Sequence, residues 1–291
     1  MSFQLQPGAD GYIAKTRYSR GMVEKSRGHR VASLRTIAQA RSASLAEMLR
    51  QKFGYRNRLL GLVTVALALY GGHRRGFGVE DLDVKLRKWT GTRKGFYVEL
   101  GANDGVSASN TLLLELLFGW SGVLIEPVSS LFQELRSNRS QRRNVICRAA
   151  CVGGPGGGYE SDSVEIVYSN LMSTVVGLDS DVADPLAHAE SGAVFLRPGD
   201  FVRLENVPAR TLTSVLHESR APQNIQLLSL DVEGAELEVL RGLDFSKYRI
   251  NWILVECRSI ERVDAYLSRF GYELRAQLSG HDFLFEHKPA D

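Results

Sequence analysis

The chain has 291 residues, 44% of them hydrophobic and 24% charged, with a formal net charge of +3. These are the proportions of an ordinary globular protein. Three cysteines, Cys147, Cys151 and Cys257, with no CxxC among them, exclude a disulfide framework, and free thiols in a reducing, cytoplasmic compartment are expected.

The small net charge hides an asymmetry. Residues 1–94 hold 19 Lys+Arg against 6 Asp+Glu, a net of +13, and the remainder holds 17 against 27, a net of −10. A basic N-terminal extension over 1–94 is therefore expected to precede an acidic domain over 95–291. Residues 1–30, rich in Gly, Ser, Arg and Lys, read as a loose arm without a secretory signal. Helical patterns follow at Ser33 to Lys52 and Arg58 to Tyr70, with a short helix from Glu80 to Trp89. The apolar run Leu59 to Tyr70 is shorter than the ~20 residues a spanning helix needs. Such helices suit capping of the domain, peripheral membrane contact through an interfacial helix, or a homo-oligomer held together by the extension.

Phe96 to Leu100 is an apolar run closed by Gly101-Ala102-Asn103-Asp104-Gly105. It reads as a buried strand, a tight turn and then a helix through the leucines after Thr111. A second strand, Gly122 to Pro127, a helix from Val128 to Arg139 and a third strand, Asn144 to Val152, complete a βαβαβ succession. That succession argues for a parallel sheet with crossover helices. The pattern breaks at about 153–209, where an insertion of loops and short strands is expected, with strands at Val164 to Ser169 and Ala193 to Leu196 and a loop-like or lightly helical stretch over 177–192. Its Tyr168 and Phe195 are candidates for an acceptor pocket. The pattern returns with a helix after Thr211, strands at Ile225 to Asp231 and Ile250 to Cys257, helices at 237–241 and 262–270, and a terminal hairpin of Tyr272 to Ala276 with Asp282 to His287.

Several strands end in polar groups: Glu99 with the glycine turn, Glu126, Asp231 with Glu233, and Glu256. Ligands of open α/β sheets bind outside the carboxyl ends of the strands, so these groups should converge. Glu126 lies about 20 residues beyond the turn, where a carboxylate can accept from ribose hydroxyls. The turn lacks GxGxxG spacing and a P-loop lysine, which points to a nucleoside without a pyrophosphate and away from an NAD-dependent oxidoreductase. Asp231 and Glu233 have a plainer alternative role as caps of the next helix, and Glu236 and Glu238 read as exposed helix residues.

The segments Phe96–Gly105, Ile125-Glu126-Pro127 and Leu228 to Gly242, with its Asp231-Val-Glu233-Gly234-Ala-Glu236 core, resemble the FkbM family of S-adenosylmethionine-dependent methyltransferases. Arg210 to Leu216 and Ile253 to Glu256 fit the same resemblance, which spans about 95–287. It implies a class I, Rossmann-like methyltransferase fold: an α/β protein with a seven-stranded, mostly parallel sheet and an antiparallel last strand. It also implies methyl transfer to oxygen on a sugar, glycan or secondary metabolite. No nucleic acid is expected as partner, although the basic N-terminal part could also be drawn to an anionic membrane or a nucleic acid. S-adenosylmethionine would contact Glu99, Gly101, Ala102, Asn103, Asp104, Gly105, Asn110, Glu126, Pro127 and Asp231, with Ala150 and Cys151 near the adenine. Asp231 is the first candidate for the base that takes the hydroxyl proton, and His281 the second. Glu233 and Glu256 would assist, or join Asp231 in holding a divalent cation such as Mg. Arg258 stands where relatives often carry a histidine, so no histidine role carries over there. The competing reading is a non-catalytic scaffold or membrane-associated binding protein that keeps the fold.

Overall fold

A computed structural model of the protein describes residues 76–91, 93–139, 141, 143–153 and 161–288. The expected arm and the helices at 33–52 and 58–70 lie outside the described residues, as does most of the glycine run 153–158.

The described chain begins with Gly76 and Phe77, whose backbone N–H groups donate to Asp81 and Asp83, and enters helix α1 (Leu82–Thr90). Strand β1 (Phe96–Leu100) follows, then α2 (Leu112–Phe118), β2 (Ser121–Ile125), α3 (Ser129–Asn138), β3 (Asn144–Cys147) and β4 (Ala150–Cys151). The inserted region supplies β5 (Ser163–Tyr168), β6 (Thr174–Val175), α4 (Pro185–Ser191) and β7 (Arg203–Arg210). Next come α5 (Leu212–Glu218), β8 (Asn224–Leu230), α6 (Glu236–Arg241), β9 (Arg249–Glu256), α7 (Ile260–Leu267), β10 (Tyr272–Gln277) and β11 (Asp282–His287). Local chemistry sets several starts: Asp184 accepts from the backbone N–H groups of Leu186 and Ala187 ahead of Pro185, and Thr211 accepts from Ser214.

Seven strands form the main sheet in the order β10-β11-β9-β8-β1-β2-β3. β3, β2, β1, β8 and β9 pair in parallel, while β11 runs antiparallel to both β9 and β10. This is the class I methyltransferase arrangement, with the last strand alone reversed. Alternation along β1 sends Val98 and Leu100 into one core and Tyr97 into the other. The first core gathers Val123, Ile125, Leu228, Ile253 and Val255 under Val215, Val239 and Val263. The second gathers Leu124, Leu227, Leu254 and Leu284 with Leu86, Leu114 and Trp120. Burial of such side chains contributes about 1.5–3 kcal/mol each. Leu86 of α1 is wholly buried there, and Trp89 packs on Trp252 at 5.7 Å. The last helix of the N-terminal extension is thus seated on the back of the sheet.

The insertion differs from its expected form in three respects. The expected strand 144–152 is two strands: β3 ends at Cys147, and β4 joins a second sheet of order β4-β7-β5-β6. Ala193 to Leu196 is not a strand; Gly192–Phe195 is a 3-10 turn that continues α4. The eight-residue β7 was not expected, because Arg-Leu-Glu-Asn-Val-Pro-Ala-Arg has weak strand propensity and carries Pro208. Its pairing with β5 from Ser163–Pro208 to Tyr168–Arg203 holds the insertion together.

Candidate active site

A cleft of about 770 Å³ opens at the carboxyl ends of β1, β2 and β8, with the second sheet as its far wall. Gly101 closes β1 at φ +72°, and a Cβ there would lie 1.8 Å from the carbonyl oxygen of Asp231. Only glycine therefore lets the ends of β1 and β8 meet and bring the two turns together.

The turn after β1 rests on buried polar contacts. Asp104 accepts from the N–H groups of Val106 (2.8 Å) and Ser107 (2.7 Å). Glu99 accepts from Asn110 N–H (2.8 Å) and from the hydroxyls of Ser109 and Thr111. Arg139, fully buried, donates from Nε to Glu115 (2.8 Å), from Nη2 to the Tyr97 hydroxyl (2.7 Å) and from Nη1 to the Gly105 carbonyl (3.1 Å); it also lies 3.5 Å from Glu99. Asn110 donates to the Ser229 hydroxyl at 3.1 Å. Glu99, Ala102, Asp104, Gly105 and Asn110 hold this turn from behind and do not line the cleft. Gly101, Asn103, Glu126, Pro127, Ala150, Cys151, Asp231 and Glu233 do.

Glu126, at the end of β2, accepts from Asn103 N–H (2.8 Å) and Val128 N–H (2.9 Å). Burial outweighs those donors and pushes its carboxyl up to about 7. Beside it Ile125, Ala149, Ala150 and Cys151 form an apolar wall. Burial pushes the Cys151 thiol up to about 12 and keeps it protonated. All three cysteines are free thiols.

On the other side of the cleft, Asp231, Glu233 and Glu256 each offer an oxygen within 4.8 Å of the others. Asp231 is held well above the usual carboxylate range by burial and by the negative charges of Glu256 and Glu233. Burial raises Glu233 and Glu256 as well. Three oxygen donors of this kind fit a hard divalent cation. Glu233 Oε2 lies 3.0 Å from His188 Nε2 on α4 and receives Arg258 Nη2 at 3.2 Å. Neither Glu256 nor His281 lines the cleft, and His281 is exposed.

Neither Asp231 nor Glu233 caps the following helix, which has no side-chain cap. Glu236, its first residue, instead ties down the turn before it, accepting from the N–H groups of Val232 (3.1 Å) and Gly234 (3.0 Å). Glu236 and Glu238 are buried, contrary to the exposed placement their helical spacing suggests; burial pushes Glu236 up to about 8, and Glu238 pairs with Arg241. Tyr168 is buried with its hydroxyl on Asp200, and Phe195 is half exposed; neither lines the cleft.

The insertion grips both turns. Thr174 donates to the Glu233 carbonyl (2.6 Å), Asp181 N–H to the Gly234 carbonyl (3.0 Å), and Asn103 Nδ2 to Asn170 Oδ1 (3.1 Å). Asn103, Ala108, Asn170 and Glu233 line the cleft with positive φ, from 47° to 61°. Strained backbone of this kind concentrates at functional sites. Asn170, His188 and Arg139 escaped the sequence reading because each acts across a long chain separation that no local spacing encodes.

Residues 99–274 match the family model of the methyltransferase FkbM domain. The chain belongs to the FkbM methyltransferase family. No protein of curated function matches it. Among solved structures, the FkbM methyltransferase of Methylobacillus flagellatus KT is similar at 12% identity and a TM-score of 0.42, covering 85% of this chain and 59% of that one. This FkbM-family chain thus spans 59% of that relative's length. The human methyltransferase 10 domain containing protein is similar at 12% identity and a TM-score of 0.40, covering 88% and 96%. A SAM-dependent methyltransferase of Geobacter sulfurreducens, in complex with S-adenosyl-L-homocysteine, is similar at 11% identity and a TM-score of 0.31, covering 72% and 70%. Among the described residues, no helix of the FkbM-family protein is long and apolar enough to cross a membrane.

Proposed function

We propose that the protein is an S-adenosylmethionine-dependent O-methyltransferase acting on a hydroxyl of a sugar, glycan or secondary metabolite. One observation carries the cofactor reading: the cleft is lined by three carboxylates, Glu126, Asp231 and Glu233, and among the described residues by no Lys, Arg or His. A pyrophosphate would find no cation there, whereas a nucleoside bearing a sulfonium and an ammonium relieves the crowding of negative charge. Glu126 would take the ribose, and the wall of Ile125 and Ala149 to Cys151 the adenine.

S-adenosylmethionine supplies an electrophilic methyl group when bound. The chain's task is to hold an acceptor oxygen in line with that methyl, about 3 Å away, and to accept its proton. Asp231 suits the second role because its raised pKa brings a carboxylate nearer the working pH of a base. Asp231 would take the hydroxyl proton as the methyl passes from sulfur to that oxygen, the C–S bond breaking as the C–O bond forms and S-adenosylhomocysteine leaving. Glu233 and Glu256 keep that proton within a cluster of shared negative charge; with Asp231 they would also hold a divalent cation, which lowers the pKa of a bound hydroxyl.

Isothermal titration with S-adenosylhomocysteine tests the cofactor, and transfer of a labelled methyl group across a panel of activated sugars, glycans and macrolide glycosides tests the acceptor. Micromolar binding with label in an ether product is expected. Absence of binding overturns the reading, and label on nitrogen or carbon overturns its oxygen specificity.

A further inference from the structure

The insertion is expected to face the acceptor, yet one of its residues reaches the opposite end of the cleft. Asn170 lies in the tight turn after β5. Ser173 Oγ accepts from Ser169 N–H (3.0 Å) and donates to the Asn170 carbonyl (2.8 Å), while Ser169 Oγ donates to the Ala189 carbonyl of α4 (2.6 Å). The turn is thus tied to itself and to the helix beneath it. From this base Asn170 Oδ1 accepts from Asn103 Nδ2 at 3.1 Å, and Asn170 Nδ2 donates to the Phe195 carbonyl at 2.8 Å.

Asn103 is fully committed in turn. Its Oδ1 accepts from Asp104 N–H (2.8 Å), and its own N–H donates to Glu126 Oε2 (2.8 Å). Asn170, Asn103 and Glu126 therefore form one hydrogen-bonded line across the cleft wall, and all three line the cavity. Asn103 and Asn170 both hold left-handed backbone, at φ 47° and 54°. Asparagine tolerates that conformation better than most residues, so the amide pair is built on two backbone positions that few side chains suit.

We propose that Asn170 is a positioning residue of the cofactor site, acting through Asn103 on the Glu126 carboxylate. The proposal rests on the reading of this cleft as a nucleoside site. It makes the insertion part of the cofactor site as well as the expected wall for the acceptor. The Phe195 carbonyl at the far end of the line carries the contact into the segment that bears the exposed Val194 and Phe195.

The test is a double-mutant cycle on the full chain, read by isothermal titration with S-adenosylhomocysteine. Asn170→Gly and Asn103→Gly each remove one amide, and glycine adopts positive φ without steric cost. Each variant loses the shared amide–amide bond and one further bond of its own, to Phe195 or from Asp104, and should bind about tenfold more weakly. The double variant should be weaker than either single one by no more than about twofold, because the Asn103–Asn170 bond that carries the coupling is already lost in each. Wild-type affinity in Asn170→Gly overturns the proposal, and so does a double variant that shows the product of the two effects. If Asn170→Gly gives no cooperative melt, Asn103→Gly decides alone, with unchanged binding as the overturning result. Failure of the wild type to bind removes the nucleoside reading itself, an outcome distinct from wild-type binding that the variants leave untouched.

Discussion

At the turn after β1, buried charges are matched: Arg139 faces Glu115, Glu99 and the Tyr97 hydroxyl, and Glu99 also takes two hydroxyls and a backbone N–H. At the turn after β8, half-buried charges are crowded: Asp231, Glu233 and Glu256 face one another, and Arg258 reaches Glu233, as does His188, whose imidazole burial and Arg258 hold toward the neutral form. The first arrangement fixes a shape. The second leaves negative charge uncompensated, at a cost to the folded state that a cation in the cleft would reduce. Under the proposed function, two neighbouring strand ends would divide the labour between holding a ligand and reacting with one.

The sharpest way to break this contrast is Arg139→Met. It strands Glu99 and Glu115 in the core and should cost about 3–5 kcal/mol in urea unfolding; a loss below about 1 kcal/mol would show that the matched turn does not depend on its arginine. Asp231→Asn should lower the turnover of methyl transfer by about 10²- to 10⁴-fold, with S-adenosylhomocysteine affinity nearly unchanged. Equal loss of binding and turnover would make Asp231 a structural residue. Gly101→Ala forces a methyl against the Asp231 carbonyl at φ +72°. It should destabilise the protein by about 2–3 kcal/mol and weaken nucleoside binding, since the two turns must separate; a neutral melting curve would contradict the close approach.

The smallest expected effect concerns pH. The Glu126 carboxyl titrates at about 7 when folded, against an ordinary 4.5. Between those values the folded state keeps a proton that the unfolded state has released, so stability falls as pH rises through this window and levels off above it. Glu126→Gln lacks that titration. Relative to it, the wild type should lose about 2.5 kcal/mol between pH 4.5 and 7. Glu236 and Asp282, raised to about 8 and about 6, shift stability in the same direction in both proteins and drop out of the comparison. A constant difference between the two proteins across the window would show that Glu126 is not desolvated.

Where apolar periodicity dictates structure, the sequence is a good guide. The main sheet follows from runs such as Phe96–Leu100 and Ile250–Glu256, and the close approach of Asp231, Glu233 and Glu256 follows from strand ends that parallel pairing must bring together. The break after Cys147 is hidden because Arg148 to Cys151 continues an apolar pattern while the hydrogen bonds pass to a different sheet. β7 is hidden because its partner strand, rather than its own composition, makes it a strand. Glu236 and Glu238 look solvent-facing by spacing, but tertiary packing closes over them. Arg139 reads as the ordinary basic end of a helix, and nothing local marks it as the centre of a buried network.

The manner in which the second sheet leaves the body has a practical side. Val152 N–H donates to the Arg210 carbonyl at 2.9 Å, and Cys151 pairs with Arg210 in β4 and β7. The exit and return of the inserted region are therefore side by side. A segment with adjoining ends is a portable unit: chimeras cut at Val152 and Arg210 would exchange the whole region between relatives as a cassette, while the apolar wall of Ala149 to Cys151 stays with its host.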